Sequence, residues 1–406
     1  MKVITLLLDG VGDRTYEVLD HQTPLQYAKT PNLDRLARKA QCGLMTPLSI
    51  GASLGTDLAH FILFNYSLEE YPTRTIIDAY GEEINFDKRD LLLRASFAKV
   101  DKKDDGYYIK ERFIEKQNQK EISELMNIFN RKKDGYTFKV IHSYDSHCFL
   151  KISGNDLSAA VSDSDPFYSN QYVMKVEPFE SETIESQQTA DLINNYLKEN
   201  YDLLSKRNQT SNFLLTKWAG KDGKVEPFKS KTGMSGLMLG KSKLLEGIAK
   251  LTNMKYEGYD TFTEAIGKAL AAKEDYVHLH TKKTDTASHS KNVHEKVKVI
   301  EAIDQSLKPL LSFKGLLIVT ADHSTPCAGE MIHSGESVPF MAIGGYIRRD
   351  AVEKFNEIDC SLGSVQIRGN EFIDYINNAR DEGKLYHLRA GKKHSNFIRR
   401  DINKLV

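Results

Sequence analysis

The sequence predicts an α/β fold: a mixed, mostly parallel sheet flanked by helices, with an α+β domain inserted into it. Three observations carry this expectation. Short apolar runs at 3–8, 315–319 and 338–343 have the hydrophobic texture of strands buried on both faces, and 276–280 reads as a further strand. Between the C-terminal runs lie amphipathic helical stretches, the alternation that builds a parallel sheet. From about residue 87 to 224 the texture changes to alternating strands and polar turns, so that segment reads as an inserted domain within a core made of 1–86 and 225–406.

Each element follows from local chemistry. Residues 3–8 form a first strand closed by Asp9-Gly10. Thr30-Pro31 can start a helix, with Thr30 as cap, Pro31 at its first position and Asp34 in its first turn. Leu33, Leu36, Ala37 and Ala40 then recur at helical spacing, and Cys42 to Met45 can follow as a strand. Gly51-Ala52-Ser53-Leu54-Gly55-Thr56-Asp57 is a small-residue turn that opens into the apolar helix Leu58 to Phe64. Backbone N–H groups at such a helix start can hold an anion.

In the insert, strands are expected at Leu91 to Val100, Tyr107 to Ile109, Tyr136 to His142, Cys148 to Ile152 and Phe213 to Thr216. Lys102-Lys103-Asp104-Asp105-Gly106 marks a hairpin turn, and helices are expected at Glu121 to Phe129 and Thr189 to Tyr201. Beyond a Gly-rich stretch ending at Gly240, Leu244 to Leu251 and Phe262 to Ala272 read as helices. Val293, Val297, Ile300, Ile303 and Leu307 mark the apolar face of another, and Phe372 to Ala379 forms a late one. The tail 392–404 is basic and reads as a solvated surface.

Composition narrows the function. The 406 residues suffice for two domains, and 56 basic residues balance 56 acidic ones, so nothing points to nucleic acid or an anionic membrane. The N-terminal apolar run is interrupted by Asp9 and is too short for a signal peptide, and no stretch reaches the roughly 18 apolar residues of a spanning helix. The four cysteines are dispersed without a Cys-x-x-Cys pair, as reduced thiols of a cytoplasmic protein would be.

Acids and imidazoles gather at the carboxyl ends of predicted strands, where open α/β sheets bind ligands. They are Asp9, Asp285 with His289 one helical turn on, Asp322-His323, and His333 in the next loop. Taken singly, each is as well explained by a solvated loop. Together, three carboxylates and three imidazoles suit two divalent ions, manganese or zinc. A two-metal centre can clamp the attacking and leaving oxygens of a phosphoryl transfer, and Thr56 is then the candidate nucleophile. Without metals, Thr56 and Asp57 would be an ordinary helix start.

These residues sit in recognisable blocks. They include Leu8-Asp9-Gly10, Thr23-Pro24-Leu25, Gly55-Thr56-Asp57-Leu58-Ala59-His60 and Asp163-Ser164-Asp165-Pro166. Further on come His280-x-Lys282-x-Thr284-Asp285, Asp322-His323-Ser324-Thr325-Pro326, His333-Ser334-Gly335 and Ile367-Arg368-Gly369. In these blocks, and in their order over nearly the whole chain, the sequence resembles the archaeal type of cofactor-independent phosphoglycerate mutases, in the alkaline phosphatase superfamily. The resemblance implies an alkaline-phosphatase-like core. It implies that Asp285, His289 and His333 bind one metal and Asp9, Asp322 and His323 the other. Thr56 would carry the phosphoryl group as a covalent intermediate, and the insert would grip a small phosphorylated metabolite and exclude water.

The chain departs from the family pattern where the substrate is read. The nucleophile is Thr rather than the usual Ser, and an Arg-rich insert segment keeps only Arg112. The usual His-Arg pair appears as Ser146-His147, and a usual Arg as Lys217, whereas Arg74 is retained. Lysine does not reproduce bidentate arginine recognition. His60, Arg74, Arg112, Lys217 and Lys282 are candidate substrate contacts, each as readily explained by packing or surface charge. Two enzymatic readings follow: a mutase acting on phosphoglycerate or a related phosphorylated or phosphonylated metabolite, and a phosphatase or phosphodiesterase on the same centre. A catalytically dead binding protein is disfavoured because all six ligands and the hydroxyl are kept. A homo-oligomer is compatible with the sequence.

Overall fold

The computed structural model describes residues 1–114, 119–179, 183–207 and 210–383, so the basic tail lies outside the described residues. Its strands, in chain order, are β1 (Val3–Leu8), β2 (Gln41–Thr46), β3 (Leu91–Lys103), β4 (Gly106–Glu111), β5 (Arg131–Lys133), β6 (Tyr136–His142) and β7 (His147–Ser153). These are followed by β8 (Phe213–Gly220), β9 (Gly236–Leu239), β10 (Lys255–Glu257), β11 (Tyr276–Thr281), β12 (Leu316–Thr320), β13 (Val338–Ile343) and β14 (Val365–Arg368). They form two sheets, and the chain divides into two units, Met1–Tyr71 with Val225–Val406, and Pro72–Lys224.

The first unit carries a sheet of order β10-β9-β11-β1-β12-β13-β2-β14, in which only β13 runs against its neighbours among the described residues. This is the mixed, mostly parallel sheet expected. Every residue of β1, β11 and β12 is buried, which explains why β1 and β12 are apolar with little alternation, whereas β11 also buries His278 and His280. The second unit carries an antiparallel sheet of order β4-β3-β7-β6-β5, with β8 also paired to β3. The long helix Ile184–Leu204 contributes Ala190, Ile193, Tyr196 and Leu197 to the core of that unit.

Three local expectations change. The second unit begins at Pro72 rather than at 87, because helix Arg74–Gly81 packs on β3 and β8. Arg94 of β3 seals this packing by pairing with Asp78 at 3.6 Å and Glu82 at 3.0 Å. The edge strands β5, β10 and β14 and the inner strand β9 are too brief to show a period, and β9 emerges from what reads as a Gly-rich loop. Finally, helix Pro31–Ala37 has Pro31 at its first position, but Thr30 makes no capping bond. The Asp304 carboxylate caps it instead, accepting from Asn32 N at 3.1 Å and Leu33 N at 2.8 Å.

Asp304 lies on helix Val293–Ser306, whose buried face is Lys296, Val297, Ile300, Ile303 and Asp304. Two charged residues therefore share a face that periodicity reads as apolar. Replacing Asp304 by Ala would leave the buried Leu33 N–H and the half-buried Asn32 N–H without their acceptor. Asp304→Ala should lower stability by about 1–3 kcal/mol, read as a fall in the urea midpoint of unfolding. An unchanged midpoint would show that another acceptor caps this helix.

Candidate metal centre

Register brings distant residues to one level. In the parallel sheet Leu7 is opposite both His280 and Thr320, and Leu8 is opposite Thr281. The chain therefore leaves β1, β11 and β12 together, carrying Asp9, His280 and Asp322 to the same end of the sheet. Gly10 makes the close approach of these loops feasible. It has φ +62°, and a Cβ there would stand 2.3 Å from Thr325 Oγ1 and 3.1 Å from Asp285 Oδ1.

All six expected ligands converge in the first unit. Asp285 and His289 lie on helix Lys283–His289, with Nε2 3.1 Å from Asp285 Oδ1. His333 Nε2 is 3.5 Å from the same oxygen, and its ring stacks on His323 at 3.9 Å between centroids. His323 Nε2 is 3.3 Å from Asp9 Oδ1 and 3.3 Å from Asp322 Oδ2. These distances pair His289 and His333 with Asp285, and His323 with Asp9 and Asp322, while the most compact triads of possible ligand atoms cut across that pairing. Asp285, His323 and His333 form one, and Asp9, His280 and Asp322 the other. His289 stays beside the first, at an exposed rim.

His280 was missed because a histidine inside a strand reads as core, whereas the acids and histidines just past strand ends read as ligands. Strand alternation places His280 on the same face as the core residue His278, so the period carries no ligand signal. Its Nε2 lies 3.2 Å from Asp9 Oδ2.

Tautomers give the geometry its chemical meaning. The Leu54 carbonyl can only accept, so His333 Nδ1 donates to it at 2.6 Å, leaving the Nε2 lone pair toward Asp285. Thr325 Oγ1 donates to Asp285 Oδ1 at 3.0 Å and therefore accepts from His323 Nδ1 at 3.1 Å. His323 Nε2 is then the atom that faces Asp9 and Asp322. Lone pairs aimed at carboxylates repel unless a cation stands among them. Asp9 Oδ1 and Oδ2, Asp322 Oδ2 and His280 Nε2 are buried without a geometry suited to hydrogen bonding, as a cation site requires.

The titration directions agree. Burial opposes charge on His323, but Asp322 and Asp9 outweigh it and raise the imidazole to about 9, so a proton takes the place of a cation in the metal-free protein. Burial pushes Asp9 up, yet His280 and His323 reverse this and hold it well below the usual carboxylate range. Burial and then the charge of Asp9 raise Asp322. Asp285 is lowered, because His289 and His333 overcome its burial.

Thr56 begins helix Thr56–Leu63, with Gly55 as its cap and Asp57 in the first turn. Its hydroxyl is buried and lies 3.3 Å from His323 Nε2. His60, a candidate substrate contact, is instead fully buried. Its Nδ1 donates to Thr56 O at 2.6 Å, and its Nε2 meets His278 Nε2 at 3.0 Å. Burial and then neighbouring His280 push His60 down to about 3, so a neutral ring braces the helix behind the hydroxyl.

The other candidates separate by unit. Lys282 is exposed, with Nζ 3.8 Å from Asp285 Oδ2. In the second unit, Arg112 forks onto Asp165 through two 2.7 Å bonds, and Lys217 reaches the same carboxylate at 3.3 Å. Arg74 pairs with Asp78 at 3.2 Å and lies over the Trp218 ring.

Thr325→Val keeps the shape of the side chain but removes the hydroxyl that orients Asp285 and His323. Metal affinity should fall roughly 10–100-fold, measured by titrating manganese into chelator-stripped protein; unchanged affinity would mean the hydroxyl does not set the ligand geometry.

Comparison with known proteins gives the chain's family. A family model described as the metalloenzyme superfamily matches residues 1–375. The chain is 45% identical over 420 residues to 2,3-bisphosphoglycerate-independent phosphoglycerate mutase 2 of Methanocaldococcus jannaschii, spanning 99% of this chain and 98% of that protein. It is 30% identical to the 2,3-bisphosphoglycerate-independent phosphoglycerate mutase of Sulfurisphaera tokodaii, over 95% of this chain and 98% of that one. Among solved structures, the cofactor-independent phosphoglycerate mutase from Thermoplasma acidophilum superposes with a TM-score of 0.63 at 28% identity, covering 94% of this chain and 100% of that chain. A Pyrococcus horikoshii protein shares the fold with a TM-score of 0.73 at 23% identity, over 95% and 98% of the two chains. This chain therefore belongs to the metalloenzyme superfamily and, within it, to the archaeal type of cofactor-independent phosphoglycerate mutases.

Proposed function

We propose that this protein is a cytoplasmic enzyme that interconverts 2- and 3-phosphoglycerate, or shifts the phosphoryl group of a related small metabolite, through a phosphothreonine at Thr56. The observation that supports this most is the Thr56 hydroxyl itself, buried at a helix start and 3.3 Å from a histidine nitrogen that faces two carboxylates. The donor set fits two divalent cations, manganese or zinc. Asp285, His289 and His333 would hold one, and Asp9, Asp322 and His323, with His280 beside them, the other. Bound there, they would lower the pKa of the hydroxyl and offset charge on the transferring phosphoryl group.

The chain's own residues then divide the work. Thr56 Oγ1 bonds to phosphorus as the ester P–O bond breaks, and the hydroxyl proton ends on the departing glycerate oxygen. In the return, the other glycerate hydroxyl takes the phosphoryl group and Thr56 recovers a proton. Neutral His60 holds the Thr56 carbonyl and so fixes the first turn from which the hydroxyl projects. Lys282, exposed beside Asp285, supplies a cation for the substrate's negative charge.

One observation favours the second reading, hydrolysis of a phosphate ester on the same centre. Arg112 and Lys217 are both engaged by Asp165, which reduces the cationic grip a mutase needs on its intermediate. The assay is 3-phosphoglycerate with the manganese-loaded protein, following 2-phosphoglycerate by enolase coupling and inorganic phosphate in parallel. We expect 2-phosphoglycerate to form; phosphate alone would establish the hydrolase. Thr56→Ala should lower turnover by a factor on the order of 10³ or more while manganese still binds. Turnover retained in that variant would remove Thr56 from the mechanism. Chelation should abolish activity, and added manganese should restore it.

A further inference from the structure

Lys296 is a charged residue on a face where periodicity predicts an aliphatic one. It is 0% exposed, so its ammonium does not reach water as helix-surface lysines do. Four acceptors surround it: Gly10 O at 2.9 Å, Thr325 O at 2.9 Å, Gly12 O at 3.3 Å and Asp13 Oδ2 at 3.0 Å. An ammonium has three protons, so these acceptors use its full capacity. Two of the acceptors belong to the segments that carry the metal ligands. Gly10 follows Asp9 directly, and Thr325 lies two residues beyond His323 and bonds both Asp285 and His323 through its hydroxyl. The same segments are tied to each other by Gly10 N to Asp322 Oδ1 at 3.3 Å and Thr325 N to Gly12 O at 3.0 Å.

We propose that Lys296 is a positioning residue of the metal centre: its buried ammonium holds the Asp9–Asp13 and Asp322–Thr325 loops at the spacing that metal binding requires. This rests on the two-metal reading above and extends it to a group that touches neither metal nor substrate. The physical case is the cost of doing without it. Any uncharged aliphatic side chain would leave three carbonyls and a carboxylate facing one another in a dry space. The loops would separate to admit water, and Asp9 would move away from Asp322.

Asp13 offers a way to separate positioning from simple destabilisation. Its Oδ1 accepts from Arg14 N at 2.7 Å, Tyr16 O–H at 2.6 Å and Cys327 N at 3.4 Å, while Oδ2 faces Lys296. D13N therefore keeps the Oδ1 contacts and turns an amide toward the place of the ammonium, so D13N/K296M buries no unpaired charge. Chelator-stripped wild type, K296M and D13N/K296M are titrated with manganese by calorimetry, alongside thermal unfolding of the metal-free proteins.

The expected result is that D13N/K296M unfolds within a few degrees of wild type yet binds manganese at least tenfold more weakly. At saturating manganese its KM for 3-phosphoglycerate should match wild type, with the loss confined to the metal dependence of kcat. Manganese affinity within twofold of wild type in the double variant would overturn the proposal. Should both variants fail to fold, hydrogen exchange of metal-free wild type decides. Protection of residues 9–13 and 322–327 supports preorganisation by Lys296, and rapid exchange there refutes it. Because metal binding is read directly, wild type that binds manganese but turns over no phosphoglycerate refutes only the mutase reading. Wild type that binds no manganese refutes both.

Discussion

Everything at the site depends on negative charge that is buried before any cation is bound. Asp9 and Asp322 are fully buried, Asp285 nearly so, and imidazole lone pairs are turned toward them rather than N–H groups. Such an arrangement is costly for a protein to assemble, and burial alone would favour protonated carboxyls. The metal-free protein answers with protons: His323 is raised to about 9 beside its two carboxylates. A divalent ion would meet the same demand with more charge and defined coordination, which is why a metal centre is the natural reading of this geometry.

The sheet makes that charge concentration feasible. Strands β11, β1 and β12 are adjacent, parallel and level, so ligands from the first and last thirds of the chain leave the sheet together. Helix Val293–Ser306 then acts behind the site with two buried charges. Asp304 caps helix Pro31–Ala37, and Lys296 gathers the carbonyls of the ligand-bearing loops. A helix that reads as ordinary core is thus the element that joins the early and late parts of this unit.

Thr56 shows how chemistry and scaffold share one helix. The side chain of its first residue faces His323, while the carbonyl of that residue is held by His60, four positions on. His60 belongs to a dry file in which His278 follows, with Tyr276 O–H 3.1 Å from His278 Nδ1. These aromatic groups stiffen the position of the hydroxyl from within the core. The second unit carries different chemistry. There cations are plentiful, but Arg112 and Lys217 converge on one aspartate.

The sequence by itself determined the fold class, the strands β6 and β13 and the late helix Phe372–Ala379 to the residue, and it singled out six residues that lie together in the first unit. It could do so because strands buried on both faces, such as β1, β12 and β13, are almost wholly apolar, and because a polar residue just past such a strand's end stands out against them. Only the tertiary structure decided what depends on register and on contacts across hundreds of residues. It set His323 against Asp9 and Asp322 with its ring stacked on His333, brought His280 to Asp9, moved His60 into the core, and placed Asp304 and Lys296 against backbone groups of distant loops. None of these has a local signature, since a histidine in a strand or a lysine on a helix looks alike whether it faces water, core or a ring of carbonyls. The three-dimensional path of the chain supplies the partners, and with them the role.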